Sequence, residues 1–68
     1  MKEATIYYVQ DFYGRKINGS RKIEVPDDMY NGWDWDGIVK QFRNRYDRDP
    51  HSLITVKRIK LGRTILQG

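Results

Sequence analysis

The sequence contains no cysteine, a single histidine and only two prolines among its 68 residues. Without cysteine the chain forms neither a disulfide bond nor a thiolate metal site, and one histidine cannot build a histidine-rich metal centre. Glycine-rich phosphate loops, paired-carboxylate motifs and metal-ligand spacings are missing as well. We therefore expect no bound metal and no cofactor.

Residues with catalytic potential are few. Asp49, His51 and Ser52 follow one another closely in a predicted loop. A catalytic triad, however, is defined by its geometry and not by closeness in sequence. We expect no catalytic residue and a non-enzymatic role.

No long hydrophobic run is present. The apolar run near the N-terminus covers residues 6–9 and stops at Gln10. It is shorter than the apolar segment of a signal peptide and far shorter than the ~20 residues of a membrane-spanning helix. We expect a cytoplasmic protein that does not bind membranes.

The length predicts one small domain that comprises residues 1–68. Hydrophobic residues make up 38% of the chain, and with the glycines the apolar share is that of an ordinary globular protein. A domain of this size buries only ~60% of the surface of its unfolded chain, so we expect a thin core.

The first third of the chain predicts a β-hairpin. Residues 4–13 are rich in β-branched and aromatic side chains, which is typical of a strand. Asn18-Gly19 is the strongest turn signal, because a type I′ turn needs positive φ at both central positions. A second strand then covers residues 20–25 and ends at Pro26.

A helix and further strands follow. Residues 26–32 indicate a loop, Asp34 is a suitable helix N-cap, and Pro50 ends the helix. Residues 53–61 predict a strand, after which Gly62 is either a hairpin turn into a fourth strand or a bulge. The apolar residues at helical spacing are Trp35, Ile38, Val39, Phe42 and Tyr46.

These elements predict an α+β fold of ββαβ or ββαββ order. One helix packs on one face of a small, mainly antiparallel sheet of three or four strands. The aromatic residues expected in its core are Phe12, Trp35 and Phe42.

Charge is segregated along the chain, whose formal net charge is +4. Residues 23–39 contain five acidic residues and no lysine or arginine. Residues 40–68 contain eight basic and two acidic residues, and residues 15–22 contain four basic residues and no acidic one. A patterned charge of this kind favours a specific contact over diffuse attraction to anions.

The predicted hairpin end carries Arg15, Lys16, Arg21 and Lys22. In the predicted register Lys16 faces Arg21 and Arg15 faces Lys22, and like charges directly opposite each other destabilise a sheet by up to ~1 kcal/mol. This arrangement either keeps the hairpin end soluble or binds an anionic partner.

The strand after the helix contains Lys57, Arg58 and Lys60. Strict alternation places Arg58 and Lys60 on the same face as Ile54 and Val56. Cations on such a strand either prevent edge-to-edge pairing or dock against an acidic surface.

Tyr7 and Tyr13 are predicted on the strand face opposite to Phe12. Aromatic side chains on an open sheet face stack on bases, anchor a protein interface or pair across strands for stability alone. Both tyrosines are therefore candidate contact residues.

Two short segments carry a family resemblance. Ile23-Glu24-Val25-Pro26 ends the hairpin, and Val56-Lys57-Arg58-Ile59-Lys60 forms the strand after the helix. In this order around one helix they resemble the small RNA polymerase inhibitor family of lytic coliphages. The resemblance implies a ββαβ domain, an inhibitory role without catalysis, and contact with host polymerase through the positions of Arg58 and Lys60.

Three kinds of partner follow from these features. The favoured one is a host protein with an acidic surface, bound by a phage-type accessory or inhibitor protein. The alternative is a nucleic acid held by the basic hairpin end and the basic last strand. Pairing of exposed strand edges into a homo-oligomer is the third.

Overall fold

The computed structural model describes residues 1–46 and 52–67, so Asp49, Pro50 and His51 lie outside the described residues. The sheet has the strand order β2-β1-β3-β4, and every pair of neighbours is antiparallel. The α+β fold with one main helix on a four-stranded sheet is confirmed. The elements are β1 (Lys2–Phe12), β2 (Arg15–Val25), α1 (Asp27–Asn31), α2 (Trp35–Tyr46), β3 (Ser52–Leu61) and β4 (Thr64–Gln67).

The core lies between α2 and one face of the sheet. Because side chains alternate along a strand, every second residue of each long strand points under the helix. Ile38 and Phe42 of α2 cover them and are 0% and 1% exposed. The buried sheet residues are Ala4, Ile6, Ile23, Val25, Ile54, Val56, Ile59 and Leu61.

Gly62 starts a turn, not a bulge. Leu61 pairs with Thr64, so Gly62 and Arg63 form a two-residue connection into β4. The φ of Gly62 is +63°, a region that glycine enters without the strain felt by other residues. The ββαββ alternative is therefore the observed one.

The first hairpin turns at Tyr13-Gly14, and the predicted turn at Asn18-Gly19 is wrong. Tyr13 and Gly14 have φ of 53° and 81°, which are the positive values that a type I′ turn requires. The Asp11 carboxylate accepts a hydrogen bond from the Gly14 N–H at 3.2 Å. Strand β2 therefore begins at Arg15 and includes the segment that was expected to turn.

Because the turn lies elsewhere, every cross-strand residue pair of the hairpin differs from the predicted one. Lys16 faces Asp11 and Arg15 faces Phe12, so the expected pairs of like charge do not form. Phe12 is 37% exposed near the turn and does not join the core as predicted.

The Tyr8 ring occupies the space in which a side chain of residue 19 would lie, and this explains the glycine within β2. Tyr8 is its direct partner on β1, and a Cβ atom at Gly19 would lie 2.7 Å from the ring carbon Cζ of Tyr8. The Tyr8 ring in turn packs 5.5 Å from the ring of Phe42, measured between centroids. A glycine opposite an aromatic residue is a known way to seat the ring on the strand.

We expect the substitution Gly19→Ala to lower the free energy of unfolding by roughly 1–3 kcal/mol, because the added methyl group displaces the Tyr8 ring. Urea unfolding followed by circular dichroism measures the change. Gly19→Ala in a Tyr8→Leu background is the control, since the shorter side chain leaves room for the methyl group. An equal loss in both backgrounds would contradict the steric explanation.

The predicted helix is confirmed, with an additional short helix before it. The Asp34 carboxylate accepts a hydrogen bond from the Gly37 N–H at 3.0 Å, which is the expected N-cap. Residues 27–31 form α1, where a loop was predicted. Arg43 of α2 donates to the Ile54 carbonyl at 3.1 Å and thereby fastens the helix to β3.

Candidate anion-binding face

The sheet face opposite to α2 carries no helix among the described residues, and we call it the open face. Its side chains come from alternate positions of all four strands. They include most of the cations of the sheet. The residues placed there are Glu3, Thr5, Tyr7, Val9, Asp11, Lys16, Asn18, Ser20, Lys22, Glu24, Leu53, Thr55, Lys57, Arg58, Lys60, Ile65 and Gln67.

A β-bulge at Lys57 decides which side chains of β3 reach the open face. Tyr7 pairs with Arg58 and Tyr8 pairs with Val56, so Lys57 is an extra residue on β3. The bulge changes the phase of the strand. The buried positions are even-numbered before it (Ile54 and Val56) and odd-numbered after it (Ile59 and Leu61).

The bulge therefore turns Arg58 and Lys60 to the open face. Both are exposed, and they do not share a face with Ile54 and Val56, as strict alternation predicted. The prediction was wrong because a bulge adds one residue to one strand only.

Arg58 lies over Tyr7 at the centre of the open face. The guanidinium carbon is 5.2 Å from the centroid of the half-buried Tyr7 ring, which is within the range of a cation–π contact. Tyr7 thus holds the arginine over the sheet. Lys57 and Arg58 also border a depression of about 330 Å³ with Tyr7, Val9 and Asn18.

Two further cations lie on either side of Thr5, which is the next open-face residue of β1 after Tyr7 in the direction of the N-terminus. Lys22 is the partner of Thr5 on β2, and Lys60 is its partner on β3. The Lys22 ammonium is 3.9 Å from the Glu3 carboxylate, but both side chains are mostly exposed, so the pair contributes little. Cations of β2 and β3, on either side of β1, can therefore approach one anionic surface.

Lys57, Arg58 and Lys60 have no acidic partner within 4.0 Å in residues 1–46 and 52–67. Their charge is not neutralised by that part of the chain. An external anion would consequently be attracted by the full charge of these three side chains, reduced only by salt screening.

The structure separates the remaining candidate residues from this group. Lys16 lies at the far end of the open face, opposite Asp11. Arg15 and Arg21 lie on the helix side of β2, where the Arg21 guanidinium is 4.8 Å from the Tyr46 ring centroid. Tyr13 is in the turn, with its ring edge-on to Phe12 at 4.5 Å. The four basic residues predicted at the hairpin end are thus divided between the two faces of the sheet, and Tyr13 lies in the turn.

The acidic segment lies at the end of the molecule away from the hairpin turn. Glu3 faces Glu24 across the hairpin there, and the N-terminal ammonium is 3.4 Å from Asp27. The molecule measures 36 × 20 × 16 Å, with its strands up to 11 residues long. The segregation of charge in sequence is not kept in space, because Lys22 and Lys60 lie beside this acidic end.

Two apolar residues of the open face were missed by the sequence reasoning. Leu53 and Ile65 are 62% and 52% exposed, Leu53 opposite Asp11 and Ile65 opposite Lys60. A signal was available, since an apolar residue out of phase with its buried neighbours points to the other face. They add apolar contact area to a face that is otherwise polar and cationic.

Comparison of the chain with protein-family models, with curated proteins and with solved structures finds no match. Within residues 1–46 and 52–67, no cluster of acidic or histidine side chains has the geometry of a metal site. That part of the chain also contains no helix with the length and apolarity needed to cross a bilayer.

Proposed function

We propose that this protein is a non-catalytic binding module whose open face docks on an acidic surface of a partner protein. The observation that carries the proposal is the bulge at Lys57. It turns Arg58 and Lys60 out of the core side of the sheet and places them beside Tyr7. Without the bulge the cations and the aromatic residue would lie on opposite faces.

The chemistry of the face favours a protein partner. Arginine and tyrosine are the residue types most often found in energetic hot spots of protein interfaces, and here they are in contact. The exposed Leu53 and Ile65 supply apolar area of the kind that such interfaces bury. Glu3 and Asp11 lie on the same face, so its charge is patterned, which favours one orientation of the partner.

Nucleic-acid binding is a second candidate, and the cations on β2 and β3 favour it. Sheet proteins that bind single strands stack successive bases on several aromatic side chains. Tyr7 is the only aromatic residue at an open-face position of the described strands, and Tyr30 of α1 borders the same depression as Thr5 and Lys60. Phosphate contacts would therefore have to supply most of the affinity, so binding would depend steeply on salt.

A module of this kind acts by covering the surface to which it binds. Residues 23–26 and β3 also resemble the phage inhibitor family. Together these two points support an accessory or inhibitory role on a host protein. Electrostatic complementarity would mainly raise the association rate and the specificity.

Charge reversal on the open face tests the proposal. We expect Arg58→Glu/Lys60→Glu to weaken partner binding at least about 30-fold, because attraction at the centre of the contact becomes repulsion. The partner is captured from a nuclease-treated bacterial lysate, identified by mass spectrometry and titrated in purified form. Circular dichroism checks that the variant is folded.

The matched control is Lys40→Glu/Arg63→Glu, which changes the net charge by the same amount at exposed positions outside the open face. It should bind almost as tightly as the unmodified protein. Equal weakening by both variants would attribute binding to net charge alone and overturn the assignment of the face.

The same proteins are used in gel shifts with single-stranded DNA and RNA at ~50 and ~200 mM salt. A shift that is lost at the higher salt and abolished by Arg58→Glu/Lys60→Glu would establish the second candidate in place of the first.

A further inference from the structure

Strand β2 is a long edge strand. It has 11 residues, and within residues 1–46 and 52–67 its single pairing partner is β1, so it lies at the outside of the sheet. An edge of this length exposes unpaired backbone groups to other chains, and proteins usually shorten or cover it. The other edge strand, β4, has only four residues.

The register of the hairpin identifies which backbone groups point outward. In a two-residue hairpin the residues that flank the turn form a hydrogen-bonded pair, here Phe12 and Arg15, and such pairs alternate along the ladder. The even-numbered residues of β2 therefore direct their N–H and C=O groups to the free edge. The Glu24 carbonyl points to this edge and accepts a hydrogen bond from the Gln41 amide at 3.3 Å, so a second strand that pairs there has to share this acceptor with Gln41 or displace it.

We propose that a second copy of this chain pairs with this edge, β2 against β2 in antiparallel orientation, about a two-fold axis at Ser20. Ser20 is the middle residue of Arg15–Val25, so the two strands overlap along their whole length. The pairing joins the two sheets into one of eight strands, and it does not depend on what the open face binds. Closed two-fold symmetry is the commonest arrangement of protein dimers.

Charge selects this register among those that the backbone allows. About Ser20, Lys16 faces the partner's Glu24, and the contact occurs twice by symmetry. A two-fold axis at Gly19 would set Lys16 against the partner's Lys22, and one at Arg21 would set Arg21 against the partner's Arg21. Opposite charges across a ladder stabilise a sheet and like charges destabilise it.

The same register covers an exposed isoleucine. Ile17 is 55% exposed on the helix side of β2, beyond the buried core of the monomer. About Ser20 it faces the partner's Ile23, so that the dimer buries apolar surface that the monomer leaves in water. Burial of Ile17 disfavours the axis at Gly19, about which it faces the partner's Arg21. About an axis at Arg21 it would face the partner's Val25, so there the repulsion between the two Arg21 side chains decides.

A two-fold axis perpendicular to the sheet places both helices on one side and both open faces on the other. The dimer thus presents a continuous cationic surface of twice the width. A partner that engages both halves gains from the effective concentration of the second half.

Sedimentation equilibrium tests the proposal on the full chain at concentrations from about 1 to 500 µM. We expect a monomer–dimer equilibrium. Lys16→Glu alone and Glu24→Lys alone should each raise the dissociation constant about tenfold, since two attractive pairs become repulsive. The double variant, with the charges exchanged, should restore the dimer.

Ser20→Pro is the second variant, because it removes an edge N–H that has no partner in the monomer and is tolerated on an edge strand. It should be monomeric with an unchanged circular dichroism spectrum, whereas Ser20→Ala should dimerise. A chain that stays monomeric over the whole concentration range would overturn the proposal. A dimer that survives Ser20→Pro, or that the charge exchange fails to restore, would place the interface elsewhere and overturn it equally.

Discussion

Deletion of Lys57 is expected to remove the bulge and to leave the protein folded. Val56 and Arg58 then become neighbours in the chain, opposite Tyr8 and Tyr7, which are neighbours already. The shortened strand alternates regularly, so its apolar residues on both sides of the deletion stay under α2. Arg58 and Lys60 keep their places on the open face.

The expected loss of stability is small, because the deleted residue is the one that has no partner on β1. Ile59 and Leu61 are 0% and 3% exposed, and each keeps the burial that contributes about 1.5–3 kcal/mol. Arg58 and Lys60 stay out of the core, where an unpaired charge is costly. A chain of 68 residues has a free energy of unfolding on the order of 3–10 kcal/mol, so exposure of both Ile59 and Leu61 would be easily detected.

Thermal unfolding followed by circular dichroism, together with the dispersion of amide signals in NMR spectra, measures the outcome. The matched control is Lys57→Ala, which keeps the bulge and removes only a side chain that is exposed. Both variants should show dispersed amide signals and cooperative unfolding. A deletion variant that fails to fold would contradict the assignment of Lys57 as the extra residue of β3.

Phe42→Ala is expected to lower the free energy of unfolding by about 3–5 kcal/mol. Phe42 is 1% exposed, and its ring lies 5.5 Å from the Tyr8 ring and 5.1 Å from the Tyr46 ring. The substitution leaves a cavity between α2 and the centre of the first hairpin. In so thin a core few other side chains can move in to fill it.

Urea unfolding followed by circular dichroism gives the size of the loss. Phe12→Ala is the control, because it removes the same ring from a site that is 37% exposed. Its cost should stay below about 1.5 kcal/mol, in keeping with partial burial. Similar losses for both variants would contradict the observed division between core and hairpin end.

The helix was predictable from the sequence because its signals are local. Asp34 caps it, and its apolar residues recur at the helical period. The turn of the first hairpin was not predictable in this way. Asn18-Gly19 is the better turn sequence, but Gly19 is needed to seat Tyr8, a residue distant in sequence. Tyr13 therefore adopts positive φ at some cost, and the pairing of β1 with β2 imposes it.

The candidate site likewise combines features that local sequence predicts with one that it does not. Residue type and position in the sequence predict Tyr7, Arg58 and Lys60 as candidate contact residues, and this stays a prediction. Their meeting on one face was not predicted, because it depends on the bulge. The sequence does carry a signal for the bulge. The apolar residues occupy even-numbered positions up to Val56 and odd-numbered positions from Ile59, which a strictly alternating strand does not allow.

The central position of β1 sets the order in which the sheet is assembled. Its partner on one side, β2, is synthesised directly after it, whereas its partner on the other side, β3, comes near the other end of the chain. A hairpin forms in about 1–10 µs, while a ribosome adds about 5–20 residues per second. A hairpin alone is only marginally stable, so it opens and closes many times before β3 exists. Strand β1 is thus made before both of its partners, and it is paired on both sides only after β3 has been made.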